Sequence, residues 1–174
     1  MVDSVVYVFN QAVALDSGAI SVSLHSSVNI GSGLQTYGIV PTVVLTSSGG
    51  GTTWTATFTG AGVSNHSIVD GVYDITMIAG SIHDAAHTIT LAPAGARTDV
   101  FFRMFGNTSG YATTSAAVNN SDFSLLATSF GSTTSDATYD PRFDYFGQGD
   151  NTAAYNNFVS LNYGNFWTGF TPTI

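Results

Sequence analysis

Thr53-Trp54-Thr55-Ala56-Thr57-Phe58-Thr59 is the most regular stretch of this sequence. Threonines occupy every second position, and the residues between them are apolar. Because successive side chains of a β-strand point to opposite faces, this alternation predicts a strand with one buried and one solvent-facing side. We expect Trp54, Ala56 and Phe58 to face a core and the threonines to face outward.

Similar segments lie on both sides of this strand. Residues 72–78 place Tyr73, Ile75 and Met77 on one face, and the preceding Asp70-Gly71 is a turn signal. Strands at this spacing, with turns between them, predict a β-sandwich. β-Branched and aromatic residues predict further strands or extended segments at residues 2–9, 19–24, 37–45, 87–91 and 100–105, and 81–86 resembles a turn or short helical piece.

The composition also favours a mainly β protein. Of the 174 residues, 44% are hydrophobic and 13% aromatic, which is enough for a core. Only 8% are charged: all eleven acids are Asp, and the three bases are Arg97, Arg103 and Arg142. Glu and Lys, which are common on exposed helices, are absent, whereas the Ser, Thr, Asn and Gly typical of strands and turns are abundant.

The charge balance limits the classes of partner. A net charge of −8 disfavours nucleic acid, because phosphate binding needs clustered Lys and Arg. No run of about twenty apolar residues is present, so we expect no membrane insertion. The absence of cysteine excludes disulfides and thiolate metal sites. A weakly charged surface tolerates close packing against copies of itself, which makes self-association the first partnership to consider.

The last seventy or so residues contain a degenerate repeat. Each copy has an oxygen-rich, glycine-containing loop followed by a short apolar segment. In the first copy, apolar residues within 123–130 have helical spacing, with Ser121 or Asp122 as the N-cap and Gly131 just past the end. Residues 158–163 fit a second helix less well. The matching pieces are Phe105-Gly106-Asn107, Val118-Asn119-Asn120-Ser121-Asp122-Phe123 and Phe130-Gly131, then Phe143-Asp144-Tyr145, Gly147-Gln148-Gly149-Asp150 and Tyr163-Gly164.

With Arg103-Met104 leading into the first copy, residues 105–165 resemble the paired calcium-loop segment of dockerin type I domains, especially divergent versions on large secreted proteins of planctomycetes and related bacteria. Residues 4–91 resemble the bacterial immunoglobulin-like domains that often precede such segments, through Val6-Tyr7-Val8-Phe9-Asn10, Thr53–Phe58 and Asp70-Gly71-Val72-Tyr73-Asp74. The resemblance implies an immunoglobulin-like β-sandwich at 1–100, then a small loop-and-helix dockerin-like module with an aromatic tail at 101–174.

The same resemblance implies calcium as a candidate ligand. A calcium loop supplies about six or more oxygen ligands, mostly from carboxylates. Here the candidate ligands are only Asn107 and Asp122 in the first copy and Asp144 and Asp150 in the second. We therefore expect calcium binding to be weak or lost, with the loops retained as turns.

The sequence contains no catalytic constellation. A Gly-x-Ser-x-Gly nucleophile motif is absent, and His83 and His87, four residues apart, have no third ligand in sight for zinc. We expect a non-enzymatic structural protein, secreted from or displayed on a bacterial cell, that acts through protein–protein contacts. No signal peptide precedes the first strand, so we expect a mature fragment or part of a longer chain.

Two segments are candidate contact surfaces for self-association, as in a homopolymeric filament or surface layer, or for another surface protein. The first is the strand at residues 2–9, with Val6 and Val8, whose edge could pair with a neighbour's sheet. The second is the aromatic tail, with Phe166, Trp167 and Phe170, which otherwise packs onto a core. The alternative function is a carbohydrate-binding or cell-attachment module in which exposed aromatic rings stack on a polysaccharide.

Overall fold

Antiparallel strand pairing organises the part of the chain that the computed structural model describes, and the protein is mainly β. The described residues are 2–26, 28–30, 34–35, 38–84, 86, 97–108, 111–112, 115–152, 164, 166–168 and 170–174.

The strands are short, and their order in space differs from their order in the chain. Numbered along the chain, they are β1 (Ser4–Val8), β2 (Val13–Leu15), β3 (Ile20–Leu24), β4 (Val28–Ile30), β5 (Leu34–Gln35), β6 (Thr42–Ser48), β7 (Thr53–Thr59), β8 (Val63–Ser64), β9 (Ser67–Ile68), β10 (Gly71–Met77), β11 (Ile82–Asp84), β12 (Arg97–Arg103), β13 (Tyr111–Ala112), β14 (Ser115–Ala117) and β15 (Phe166–Thr168). The described residues also form the helix α1 (Asn120–Ser129) and 3₁₀ turns at Gly49–Gly51, Gly60–Gly62, Ala79–Ser81 and Pro141–Phe143.

Two three-stranded sheets pack face to face. The first sheet has the order β1-β7-β6 and the second has the order β12-β10-β3. Phe101 on β12 stacks against Phe58 on β7, with ring centroids 5.7 Å apart, and against Tyr73 on β10 at 5.4 Å. Buried residues of both sheets and their neighbours form one sandwich core: Val13, Ile20, Ala56, Phe58, Ile68, Tyr73, Ile75, Met77, Ile82 and Phe101.

The expectation for Thr53–Thr59 is confirmed by this core. Ala56 and Phe58 are buried, and Trp54 packs against the same cluster. The burial of Tyr73, Ile75 and Met77 on one face of β10 is likewise confirmed.

A second core covers the opposite face of β10. Val72 is fully buried there, and Val100 and Phe102 of the neighbouring β12 pack against the same cluster. The second core therefore lies behind the second sheet and adds a third layer to the two facing sheets. Its buried members are Val28, Val72, Met104, Phe105, Ala116, Val118, Leu126, Phe143, Trp167 and Phe170.

Strand pairing joins the two halves of the chain. A five-stranded sheet has the order β13-β14-β15-β4-β5, in which Trp167 on β15 is opposite Ile30 on β4. Strand β4 thus comes from the first predicted module and β15 from the second. Because pairing and core packing cross the boundary near residue 100, the two modules share structure, and their division at residues 1–100 and 101–174 stays a prediction.

Two local predictions need correction. Residues 82–84 form β11 rather than a turn or helical piece, because Ile82 is buried in the sandwich core and its strand pairs with β2. The predicted helix is present, but it begins after Asn119 rather than after Ser121 or Asp122. The predicted segments at 87–91 and 158–163 lie outside the described residues.

Replacing Phe101 with Ala tests the sandwich core. The variant loses both ring contacts and leaves a cavity, so we expect the free energy of unfolding to fall by about 3–5 kcal/mol. Urea denaturation followed by circular dichroism measures this loss. Val44→Ala, at a 45% exposed position on β6, is the matched control and should change stability by about 0.5 kcal/mol or less. Equal effects of the two substitutions would contradict the packing described.

Candidate functional site

The strand β1 lies at an edge of the first sheet, and its outward face is apolar. Val8 is 77% exposed and Val6 is 56% exposed; these are the two most exposed large hydrophobic side chains of the described part. On the opposite face, Val5 and Tyr7 pack against the sandwich core. The strand is therefore held from one side and presents valines on the other.

The N–H and C=O groups of successive residues of β1 point alternately toward β7 and toward the free side of the strand. The amide of Phe58 donates to the carbonyl of Asp3 at 2.8 Å, and the amide of Phe9 donates to the carbonyl of Thr52 at 2.8 Å. These bonds place the odd-numbered residues of β1 against β7. In an antiparallel strand, the residues between them direct their N–H and C=O groups the other way. Ser4, Val6 and Val8 therefore present these groups along the free edge.

Among the described residues, the edge is covered only at its beginning. The amide of Ile68 donates to the carbonyl of Val2 at 2.8 Å, and the amide of Val2 donates to the Ser67 hydroxyl at 3.0 Å. From Ser4 to Val8, no strand of the described part pairs with this edge. Lysine, proline and bulges, the usual protections of a strand edge, are absent from β1. We call these outward-facing groups of Ser4, Val6 and Val8 the open edge.

The outer face of the first sheet continues the uncharged character of the open edge. Its cross-strand rows contain only Ser, Thr and Val: Ser4–Thr57–Val44, Val6–Thr55–Thr46 and Val8–Thr53–Ser48. Below this face, burial raises the pKa of the Tyr7 phenol to about 12, and the nearby charge of Asp99 adds to the rise. Tyr7 therefore stays neutral at physiological pH.

The aromatic tail is part of the second core and is not an exposed contact surface. Trp167 is 1% exposed, and Phe170 is 6% exposed, with its ring 5.6 Å from that of Phe102. Burial removes both residues from the candidate contacts. Phe166 lies on β15 opposite Ala117, and its side chain lies outside the described part.

The carboxylate of Asp122 ties the first loop to the start of α1. Its Oδ1 accepts hydrogen bonds from the amide (2.8 Å) and hydroxyl (2.6 Å) of Thr108, and its Oδ2 accepts one from the amide of Asn119 at 2.9 Å. Asn119 in turn accepts from the amide of Ser121, which completes a capping box. Asp122 is fully buried, so these donors replace the water that its charge loses.

The carboxylate of Asp144 organises the second loop in a similar way. It accepts hydrogen bonds from the Tyr139 hydroxyl at 2.8 Å, from the amide of Gln148 at 3.1 Å and from the amide of Gly149 at 2.7 Å. Burial acts to raise the pKa of Asp144, but these donors outweigh it and hold the pKa below its ordinary value. Gly149 has a φ of +84°, a conformation that favours glycine.

The four candidate calcium ligands are not brought together. Asn107 and Asp144 line a cavity of about 170 Å³, whereas Asp122 and Asp150 do not. Arg103 and Arg142 line the same cavity, and their positive charges disfavour the binding of a metal cation there. The carboxylate of Asp150 accepts a hydrogen bond from the amide of Thr152 at 3.0 Å. Within the described residues, no group of three or more His, Cys, Asp or Glu side chains is placed to hold a metal.

Sequence reasoning missed an ion pair that joins the two halves. The Arg103 guanidinium donates to Asp70, which also accepts a hydrogen bond from the amide of Phe105 at 2.9 Å. Both side chains of the pair are nearly buried. From the sequence, Asp70-Gly71 indicates a turn and gives no sign of an ion pair. The available signal was the small number of arginines: the chain has three, and two of them, Arg103 and Arg142, line this cavity.

The chain has no match among known proteins: no family model, no curated protein and no solved structure matches it. In the part of the chain that is described, none of the helical residues form a segment with the length and hydrophobicity needed to cross a bilayer. The open edge and the loop carboxylates are therefore the features of the molecule that bear on its function.

Replacing Asp122 with Ala tests the capping box. The change removes the N3 acceptor and leaves the amides of Thr108 and Asn119 without it, so we expect a loss of about 2–4 kcal/mol in unfolding free energy. Urea denaturation measures the loss. Asp136→Ala is the control, because Asp136 accepts from the amide of Thr133 in an exposed turn and should matter less. A smaller loss for Asp122→Ala than for the control would contradict the assigned role.

The lowered pKa of Asp144 predicts a dependence of stability on pH. Because the folded-state pKa lies below the unfolded value of about 3.9, the stabilisation is present above pH ~4 and is lost as pH falls through the folded pKa. Asp144→Asn should therefore flatten the acid limb of a plot of urea midpoint against pH. Tyr139→Phe removes one donor and should have a smaller effect in the same direction. An unchanged acid limb in both variants would contradict this account.

Proposed function

We propose that this chain is a non-enzymatic structural protein that acts through protein–protein contacts, as the subunit of a homopolymeric filament or surface layer. The open edge of β1 carries this proposal. Unpaired strand edges are templates for pairing with another chain, and folded proteins usually protect them. Here the edge combines backbone donors and acceptors with the two most exposed valines of the described part.

The low charge of the chain supports self-association. Only 8% of the residues are charged, and the cross-strand rows of the first sheet's outer face contain no charged side chain. When two copies approach through this region, they meet little electrostatic repulsion and lose little hydration of charged groups. A surface rich in Lys and Glu would resist the same approach.

The finer architecture that we propose is an immunoglobulin-like sandwich followed by a dockerin-like repeat, in a protein secreted from or displayed on a bacterial cell. The face-to-face packing of the first two sheets supports the first element. The dockerin-like repeat is supported by the position of Asp122 at the start of α1 and of Asp144 in the second loop. In this proposal the loops keep their turns through N–H and O–H donors, and calcium is at most a weak ligand.

The hydrogen bonds and packing of the prominent polar and aromatic groups support a structural role over catalysis or sugar binding. The Nδ1 atom of His25 lies 2.7 Å from Oδ1 of Asp74, and the His25 ring packs edge-on against that of Phe170. These contacts connect the end of β3 and the strand β10 to the aromatic tail. Trp54 donates its indole N–H to the carbonyl of Val13, and Trp167 is buried. Both tryptophans are thus engaged within the fold, which weighs against a polysaccharide-stacking platform. Affinity electrophoresis through polysaccharide gels tests that alternative directly.

Charge placed on β1 should prevent assembly. We expect the wild-type chain to form ordered polymers in sedimentation and negative-stain microscopy, and Val6→Lys and Val8→Lys to form none while folded by circular dichroism. Val44→Lys, on the same face of the sheet but on β6, is the matched control and should still assemble. A monodisperse wild-type monomer at all concentrations would overturn the proposed function.

Chelation separates two modes of assembly. The oxygens of Asp122 and Asp144 already accept hydrogen bonds from protein donors, so we expect polymers to persist in excess chelator. Polymers that dissolve on chelation would show that metal holds the assembly and that the loops, rather than β1, make the decisive contact.

A further inference from the structure

We propose that the partner of the open edge is the open edge of a second copy, paired antiparallel about a two-fold axis at Val6. This inference rests on the proposed function and specifies one of its contacts; because a two-fold contact closes on itself, it makes a dimer, and the proposed polymer adds a second contact between such dimers. The resulting sheet would run β6-β7-β1-β1-β7-β6 across two molecules.

The chemistry of the open edge calls for a β-strand. The outward N–H and C=O groups of Ser4, Val6 and Val8 repeat at every second residue, and a partner strand matches that repeat. A helix or a small ligand would leave most of them unpaired. The occupant must also cover Val6 and Val8, which face the same side of the sheet as each other.

The ends of the open edge restrict the register. The amide of Ile68 already occupies the carbonyl of Val2, so the edge is free only from Ser4 onward. An antiparallel pair centred on Val6 uses all three outward residues: Val6 faces Val6 of the other copy, and Ser4 faces Val8. Each facing pair exchanges two backbone hydrogen bonds, for a total of about six. Registers shifted to either side leave part of this edge without a partner.

Charge agrees with this register. Asp3 is the charged residue next to the open edge, and pairing about Val6 sets it opposite Phe9 of the second copy rather than opposite its own equivalent. The two negative charges are therefore kept apart, whereas a register centred near Asp3 would place like charges face to face, which destabilises a strand pair. The facing side chains Ser4, Val6 and Val8 are all uncharged.

The other edge of the first sheet is a poorer partner for β1. The register of β6 with β7 places Thr42, Val44 and Thr46 toward β7, so Val43 and Leu45 direct their backbone groups outward. Val43 and Leu45 are half-buried against the sandwich core, and β3 of the second sheet lies against β6. An incoming strand would find this edge partly obstructed, whereas the open edge of β1 is unobstructed by any described strand.

Cysteine scanning tests the register without a background signal, since the chain has no cysteine. In the proposed pairing, the Cα atoms at position 6 are about 5.5 Å apart, within disulfide range. Val6→Cys should therefore give disulfide-linked dimers under mild oxidation of the dilute protein. Val8→Cys alone should not, because the two copies of position 8 are offset by about 13 Å along the strands. A mixture of Ser4→Cys and Val8→Cys should give cross-linked heterodimers.

Two control experiments can contradict the proposed register. Val44→Cys, exposed on the same face, reports random collision; dimers at positions 6, 8 and 44 in equal yield would overturn the register. Preferential linkage of Val6→Cys to a Thr46→Cys partner, which lies on the same face of the sheet, would show head-to-tail pairing of β1 with β6 and would also overturn it. If the wild-type chain polymerises without linkage at position 6, this inference fails while the proposed function stands. If it is a monomer, both fail, and if it stops at a dimer linked at position 6, the inference stands while the proposed polymer fails.

A backbone variant separates edge pairing from folding. Val6→Pro removes an N–H that faces the open edge and is not used by β7, so the subunit should stay folded but lose the pairing. Tyr7→Pro removes an N–H directed at β7 and should destabilise the fold itself. Hydrogen exchange gives a second readout: the amides of Ser4, Val6 and Val8 should become protected only as the wild-type concentration rises. Association of Val6→Pro at wild-type strength would overturn the inference.

Discussion

The burial of β10 on both of its faces is the constraint on which the rest of the structure depends. Tyr73, Ile75 and Met77 pack into the sandwich core, and Val72 packs into the second core on the opposite side. A strand covered on both sides must be matched by apolar groups from two other layers. The first sheet provides one of them, and the segment from Met104 to Phe170 provides the other. The two halves of the chain are therefore required to fold onto a common strand.

Aspartate carboxylates organise the loops through hydrogen bonds and an ion pair. Asp122 and Asp144 each collect three hydrogen bonds from nearby donors, and Asp70 connects Arg103 to the amide of Phe105. A buried carboxylate is stable when such donors replace its hydration. Several acids of this weakly charged chain are therefore engaged within the fold: Asp122 and Asp144 organise turns, and Asp70 forms a nearly buried ion pair.

The sequence predicts what depends on local pattern and misses what depends on distant partners. The alternation at Thr53–Thr59 and the helix at Asn120–Ser129 are encoded within a few residues, and both were predictable. Strand β11 was not, since three residues carry too short a period and their pairing with β2 decides their conformation. Packing of the aromatic tail onto a core was one of two expectations for it, but its pairing with β4 was hidden, because β4 is far away in the sequence. The strand at residues 2–9 was predicted from its β-branched and aromatic residues, and its edge was a candidate contact, whereas the obstruction at Val2 by β9 required the structure.

The pairing of β4 with β15 has a consequence for biosynthesis. Strand β4 leaves the ribosome long before its partner β15, and long-range pairing of this kind slows folding. Until β15 arrives, β4 and the apolar surface around Val28 have no cover, so the nascent chain carries an additional unpaired strand and an incomplete second core. The growing chain would therefore be most prone to premature association in the interval before β15 emerges, and a holding chaperone would act during that interval.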